Sequence, residues 1–137
     1  MQTLTIRDMS DRTGVQVTTG HDLDWDIPVL SGMQRQGDVI VVPADVTATA
    51  PVPAAGTPVV RGEAGGNTHA VYPDGCDVHC DVVEARAGDL TVARLTVGEG
   101  SVAYLGHPEH AFAGIGPGSY VIRRQREQAD EIRMVAD

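Results

Sequence analysis

The chain has no lysine: all ten basic side chains are arginine, set against nineteen carboxylates. A Walker-type phosphate loop, Gly-x4-Gly-Lys, is therefore excluded. The formal charge of −9 and the pI of about 4.8 repel phosphate backbones and anionic lipid at long range, so neither nonspecific nucleic-acid binding nor adsorption to a membrane is expected. Aromatic residues are scarce, at 4%. Valine and alanine must then fill most of a core, and branching at Cβ makes valine a strand former. No apolar run reaches the roughly 18 residues of a membrane-spanning helix, and the polar N-terminus lacks the apolar centre of a secretion signal. The expected compartment is the cytosol, or a virion if the chain is phage-encoded. No Gly-x-Ser-x-Gly nucleophile elbow occurs. Gly114-x-Gly116-x-Gly118 is broken by Pro117 and precedes no helical pattern, so it reads as a turn rather than a dinucleotide fingerprint. The two cysteines, Cys76 and Cys80, would sit about 13 Å apart on one extended strand. A disulfide tolerates less than about 7 Å, so reduced thiols are expected.

What is abundant is punctuation. Sixteen glycines and eight prolines over 137 residues predict many turns rather than long helices. Residues 1–33 read as an N-terminal arm that reaches outward, and residues 34–137 as a single β domain, long enough to bury a core without metal or disulfide staples. In the arm, Thr3-Leu4-Thr5-Ile6 and Val15-Gln16-Val17-Thr18 alternate like short strands around the polar Arg7–Arg12. Asp38–Pro43, entered from a turn at Gly37, is the clearest buried strand, and residues 44–58 read as a surface loop of extended character. Further strands are predicted from Val59–Arg61, over Thr68–Tyr72, over Asp77–Glu84 with Val78, Cys80 and Val82 on one face, over Leu90–Val97 and Ser101–Leu105, and over Ser119–Arg124 with Tyr120 and Ile122 sharing a face. Turns are predicted at Gly65-Gly66, Tyr72-Pro73-Asp74-Gly75, Ala87-Gly88-Asp89 and Gly98-Glu99-Gly100. The charged tail, Gln125–Asp137, reads as a helical turn followed by a strand at Glu131–Val135. The sum is an all-β fold, a small barrel or sandwich of about eight to ten short strands.

Three groups of side chains suggest a function. The first is His69, His107 and His110, with Glu63 or Glu109 as an oxygen donor. Neutral imidazole is a common metal ligand, and His107-Pro108-Glu109-His110 turns two of them toward one point if the chain bends at the proline. Such a divalent-metal site resembles that of cupin barrels, with Asn67-x-His69 where they carry His-x-His. The same histidines would alternatively make hydrogen bonds at strand ends, or titrate as a small-ligand or pH sensor. The second is Cys76, His79 and Cys80, of metal-ligand types but with no second cluster to complete a site; buried thiols are expected instead. The third is charge: Asp22, Asp24 and Asp26 surround Trp25, the only tryptophan, while Arg123, Arg124, Arg126 and Arg133 gather near the C-terminus. Trp25 reads either as a cover for one end of the core or as an anchor in a partner's pocket. The arginines either pair with Glu127, Asp130 and Glu131 or meet an acidic partner, which includes the arm of a second copy.

The combination Gln34-Arg35-Gln36-Gly37-Asp38-Val39, Gly62-Glu63-Ala64-Gly65-Gly66-Asn67-Thr68-His69, His107-Pro108-Glu109-His110, Pro117-Gly118-Ser119-Tyr120 and Arg124-Gln125-Arg126-Glu127 resembles a family of small conserved proteins of bacteria, actinobacteria-like, and of bacteriophages. The resemblance covers about residues 34–137 and implies no activity. With no catalytic constellation, the expected function is a non-catalytic binding or assembly module, a component of a phage particle or another bacterial complex, with a protein partner or self-association. The alternative is a metal-dependent barrel, enzyme or metal binder, using His69, His107 and His110.

Overall fold

The computed structural model describes residues 3–18, 20–62, 67–84 and 88–125. They form one helix, α1 (Ile6–Thr13), and ten strands: β1 (Val29–Leu30), β2 (Gln34–Gln36), β3 (Val39–Pro43), β4 (Thr57–Val60), β5 (His69–Asp74), β6 (Val78–Val82), β7 (Thr91–Val97), β8 (Val102–His107), β9 (Ala111–Ile115) and β10 (Gly118–Arg124). The strands make two five-stranded sheets, ordered β1-β9-β8-β5-β4 and β2-β3-β10-β7-β6. The fold is therefore an all-β sandwich; among the described residues no strand closes the sheets into a barrel. Hairpins β2–β3, β4–β5, β6–β7 and β8–β9 alternate between the layers, and β10 returns between β3 and β7. All these pairs are antiparallel; β1 runs parallel to β9.

Valine periodicity builds the interlayer core. Val39 and Val41 of β3, Val71 of β5, Leu95 of β7, Leu105 of β8, and Tyr120 and Ile122 of β10 all point between the sheets and are buried. Strand β10 buries alternate residues, as a strand with one wet face must. Strand β8 is buried along its whole length, because a second core covers its other face.

That second core comes from the arm. Leu4, Ile6, Met9 and Ile27 pack on Ala70, Tyr72, Val102, Tyr104, Ala111 and Phe112 of the first sheet. Burial of a side chain of this size is worth about 1.5–3 kcal/mol. The arm thus folds onto its own domain rather than reaching outward. Of its predicted first strand, Thr5 makes a single antiparallel bridge to Asp26 and Ile6 opens α1, which takes up the polar stretch that follows. Thr5 caps the helix by accepting from the Asp8 amide at 3.1 Å, and the Asp8 carboxylate returns the contact from the Thr5 amide at 2.9 Å. Gly14 ends it in the left-handed conformation, at φ 78°. Residues 14–18 are not a strand.

One further expectation shifts. Pro73 and Asp74 continue β5 rather than turning. Pairing of β4 with β5 ends at Val71, so Pro73 has only β8 beside it and its missing N–H breaks no ladder bond toward β4. Val82 shares the face of Val78 and Cys80, pairing with Ala93 as they pair with Val97 and Leu95, but lies 56% exposed at the end of β6. Residues 50–52 run along β6, with Val52 donating to Val78 and Cys80 donating to Ala50, and so cover that sheet's edge. The predicted bend at Gly65-Gly66, the turn at Ala87 and the tail beyond residue 125 lie outside the described residues.

Candidate metal centre

His69 and His107 reach one point by strand register. Ala70 pairs with Gly106, so the preceding His69 on β5 lies beside the following His107 on β8. Both share the interlayer face of Val71 and Leu105, at the end of the main core. His110 sits in the short turn from β8 to β9, which ends at Ala111 with a positive φ of 61°. The second layer closes over this end through the β2–β3 hairpin. Gln36 is buried and donates from its side-chain amide to the Leu105 carbonyl at 2.8 Å. At Gly37, φ is 60°, and an added Cβ would lie 2.6 Å from Nε2 of His110.

The ring centroids of His69 and His107 are 4.2 Å apart, those of His107 and His110 4.6 Å, and those of His69 and His110 6.1 Å. One ring nitrogen from each lies within 4.8 Å of the others. Zinc–nitrogen bonds near 2.0–2.1 Å in tetrahedral geometry place nitrogens about 3.4 Å apart. A shift of about 1.5 Å or less therefore closes the set, and the exposed His110 is the ligand with room to make it. His69 is only 3% exposed, and neither of its ring nitrogens makes a hydrogen bond of good geometry; a weak contact with the Gln36 backbone acts to raise its pKa. His107 accepts from the Glu109 amide at Nδ1, at 3.0 Å.

Burial, reinforced by the neighbouring His107, lowers the pKa of His69 to about 4, with Asp38 pulling the other way. His107 is also lowered, by burial first and then by His110, against the pull of Glu109. His69 and His107 are thus neutral at neutral pH, with the Nδ1 lone pair of His107 held by the Glu109 amide, while Asp38 and Glu109 supply a field that favours a cation. Glu109 itself accepts from the Asn67 side-chain amide at 2.6 Å. Asn67, which stands where cupin barrels carry the first histidine of His-x-His, thus orients the turn.

Of the predicted site residues, His69, His107 and His110 are brought together, and Glu63 lies outside the described residues. Among the described residues this is the one group of three or more such ligands close enough to share an ion. Cys76 is exposed and Cys80 buried, both as free thiols, and burial pushes Cys80 up to about 12. His79 lies 3.4 Å from Asp77 instead. Trp25, Asp22, Asp24 and Asp26 are all exposed, with Asp24 paired to Arg7 at 3.0 Å. Arg123 is exposed and Arg124 half-buried on β10, whereas Arg126, Arg133 and the acidic residues proposed to pair with the arginines lie outside the described residues. Sequence reasoning placed Gly37 only in a turn and missed its approach to His110; the signal was the glycine itself, in Gln36-Gly37-Asp38.

Residues 35–125 match a family described as a domain of unknown function, DUF8820. The chain belongs to that family. Membership of a family without an assigned activity is what the shared motifs implied. The DUF8820 match holds all three histidines and Gly37, and the arm precedes it. No curated protein and no solved structure matches the chain.

Proposed function

We propose that this protein is a metal-binding β-sandwich in which His69, His107 and His110 hold one divalent transition-metal ion. The observation that carries this reading is His69: a buried imidazole with neither nitrogen in a hydrogen bond of good geometry, facing two more imidazoles. Buried polar atoms nearly always have partners, and an ion would give His69 one. Nitrogen donors suit zinc, copper, nickel or iron; magnesium and calcium require oxygen. Three protein ligands leave a coordination position for water or a small molecule. The test is metal analysis of purified protein together with cobalt(II) titration followed by absorbance. One ion per chain, lost in His110→Ala, is the expected result. His110 is exposed, so this change leaves the core intact. Absence of a bound ion, or equal binding by the variant, overturns the reading.

A second reading rests on a different observation. Trp25 is 67% exposed and Met33 70%, with Leu30 also exposed on β1 at a sheet edge. Large apolar side chains in such positions support a protein contact, as in an assembly module of a bacterial or phage complex. The aspartates around Trp25 would select a basic partner. Size-exclusion with light scattering on wild type and Trp25→Ser tests self-association. An oligomer that dissociates in the variant supports this reading, and a monomer in both opposes self-association.

A further inference from the structure

The arm is fastened to the turn that carries two of the three histidines. The Thr18 amide donates to the Pro108 carbonyl at 2.9 Å, and Nε2 of His21 lies 2.8 Å from the Glu109 carbonyl, which accepts its proton. Pro108 and Glu109 are the two residues between His107 and His110. Glu109 is also held by its amide on His107 and by its carboxylate on Asn67. The turn ends at Ala111, whose φ of 61° is one that non-glycine residues seldom adopt, so it depends on its surroundings for its shape. On either side of Thr18 and His21 the arm is anchored by apolar burial, through Ile6 and Met9 before them and Ile27 after.

We propose that the arm is a clamp in cis on the histidine cluster, with His21 as a positioning residue that sets the separation of His107 and His110 and hence the affinity for a transition-metal cation. This rests on the metal reading above. The clamp belongs to residues that precede the matched domain, so it adds to that domain a control over its own site. A contact to a ligand-bearing turn acts on affinity far more than on folding, because the chelate needs its nitrogens at one spacing. Loss of a partner that orients metal ligands typically weakens binding about 10–100-fold.

The experiment compares full-length wild type, His21→Ala and His21→Gln. Three quantities are read: cobalt(II) affinity by competition with a chromophoric chelator, the thermal midpoint of metal-free protein, and amide hydrogen exchange at Glu109, His110 and Ala111. In His21→Ala, affinity is expected to fall about tenfold, exchange at the turn to rise, and the midpoint to stay close to wild type. His21→Gln, whose side-chain amide also donates to a carbonyl, is expected to restore most of the affinity. Unchanged affinity in His21→Ala, or a loss that glutamine does not relieve, overturns the clamp while leaving the metal reading intact. If wild type binds no cobalt, the metal reading fails by itself, and exchange at the turn decides the clamp: faster in His21→Ala supports it, unchanged overturns it.

Discussion

His69 and His107 lie side by side on strands β5 and β8, ring centroids 4.2 Å apart, at the end of the interlayer core. Two neutral imidazoles can share that place; two cations cannot. Both pKa values are lowered from 6.5, His69 to about 4, by burial first. The unfolded chain therefore binds protons that the native protein refuses. The stabilisation is whole above about pH 6.5 and is lost as pH falls toward 4. For His69 alone the loss is at most about 3 kcal/mol. Asp8 and Asp81, lowered from 3.8 by hydrogen bonds, lose their contributions in a lower window. Urea denaturation of metal-free protein at pH 7 and pH 4.5 should show a marked fall in stability, and His69→Leu should flatten it. An equal profile in the variant would show that another group carries the dependence.

Gly37 and Gly14 both have left-handed backbones, at φ 60° and 78°, but only Gly37 faces a histidine. Alanine at either position pays about 1–2 kcal/mol for that conformation. At Gly37 its Cβ also meets Nε2 of His110 at 2.6 Å, whereas around Gly14 nothing lies within 4 Å. Gly37→Ala is expected to lower both stability and cobalt affinity, and Gly14→Ala stability alone. Denaturant titration and metal competition on the pair separate the two effects.

Met9 is 1% exposed, although it belongs to an arm outside the matched domain. Met9→Ala is expected to cost about 2–5 kcal/mol and to shift the whole unfolding transition. If the arm were a separable appendage, tryptophan fluorescence from Trp25 would report a local change while far-UV circular dichroism of the sandwich kept its midpoint.

The Tyr120 hydroxyl is buried and donates to the Gly116 carbonyl at 2.8 Å, tying β10 to the turn that precedes it. Tyr120→Phe removes the donor and leaves a buried carbonyl short of a partner. A loss of about 1–2 kcal/mol is expected, with cobalt affinity unchanged, since nothing in the histidine cluster touches this bond. Chemical denaturation and the same competition assay check both halves.

Strand positions were legible because they depend on neighbours in the chain. Alternating valines mark β3 and β6, and Tyr120 with Ile122 marks the buried face of β10. Helix α1 was missed although its capping pair, Thr5 and Asp8, and its terminating Gly14 were in view. Thr3-Leu4-Thr5-Ile6 fits a two-residue period over so short a window that the helical reading had no periodicity to set against it. The burial of the arm was hidden as well, because its apolar residues acquire a partner only once β5, β8 and β9 present Tyr72, Tyr104 and Phe112 together.

Residue chemistry alone named His69, His107 and His110 as ligand types and left open whether they meet. Their convergence depends on the register of β5 against β8, and on the β2–β3 hairpin that lays Gly37 over His110. Local patterning is a matter of adjacent residues and propagates through the chain itself. The meeting of distant side chains is settled by which strands pair and how two layers pack, and those are energies shared by the whole core.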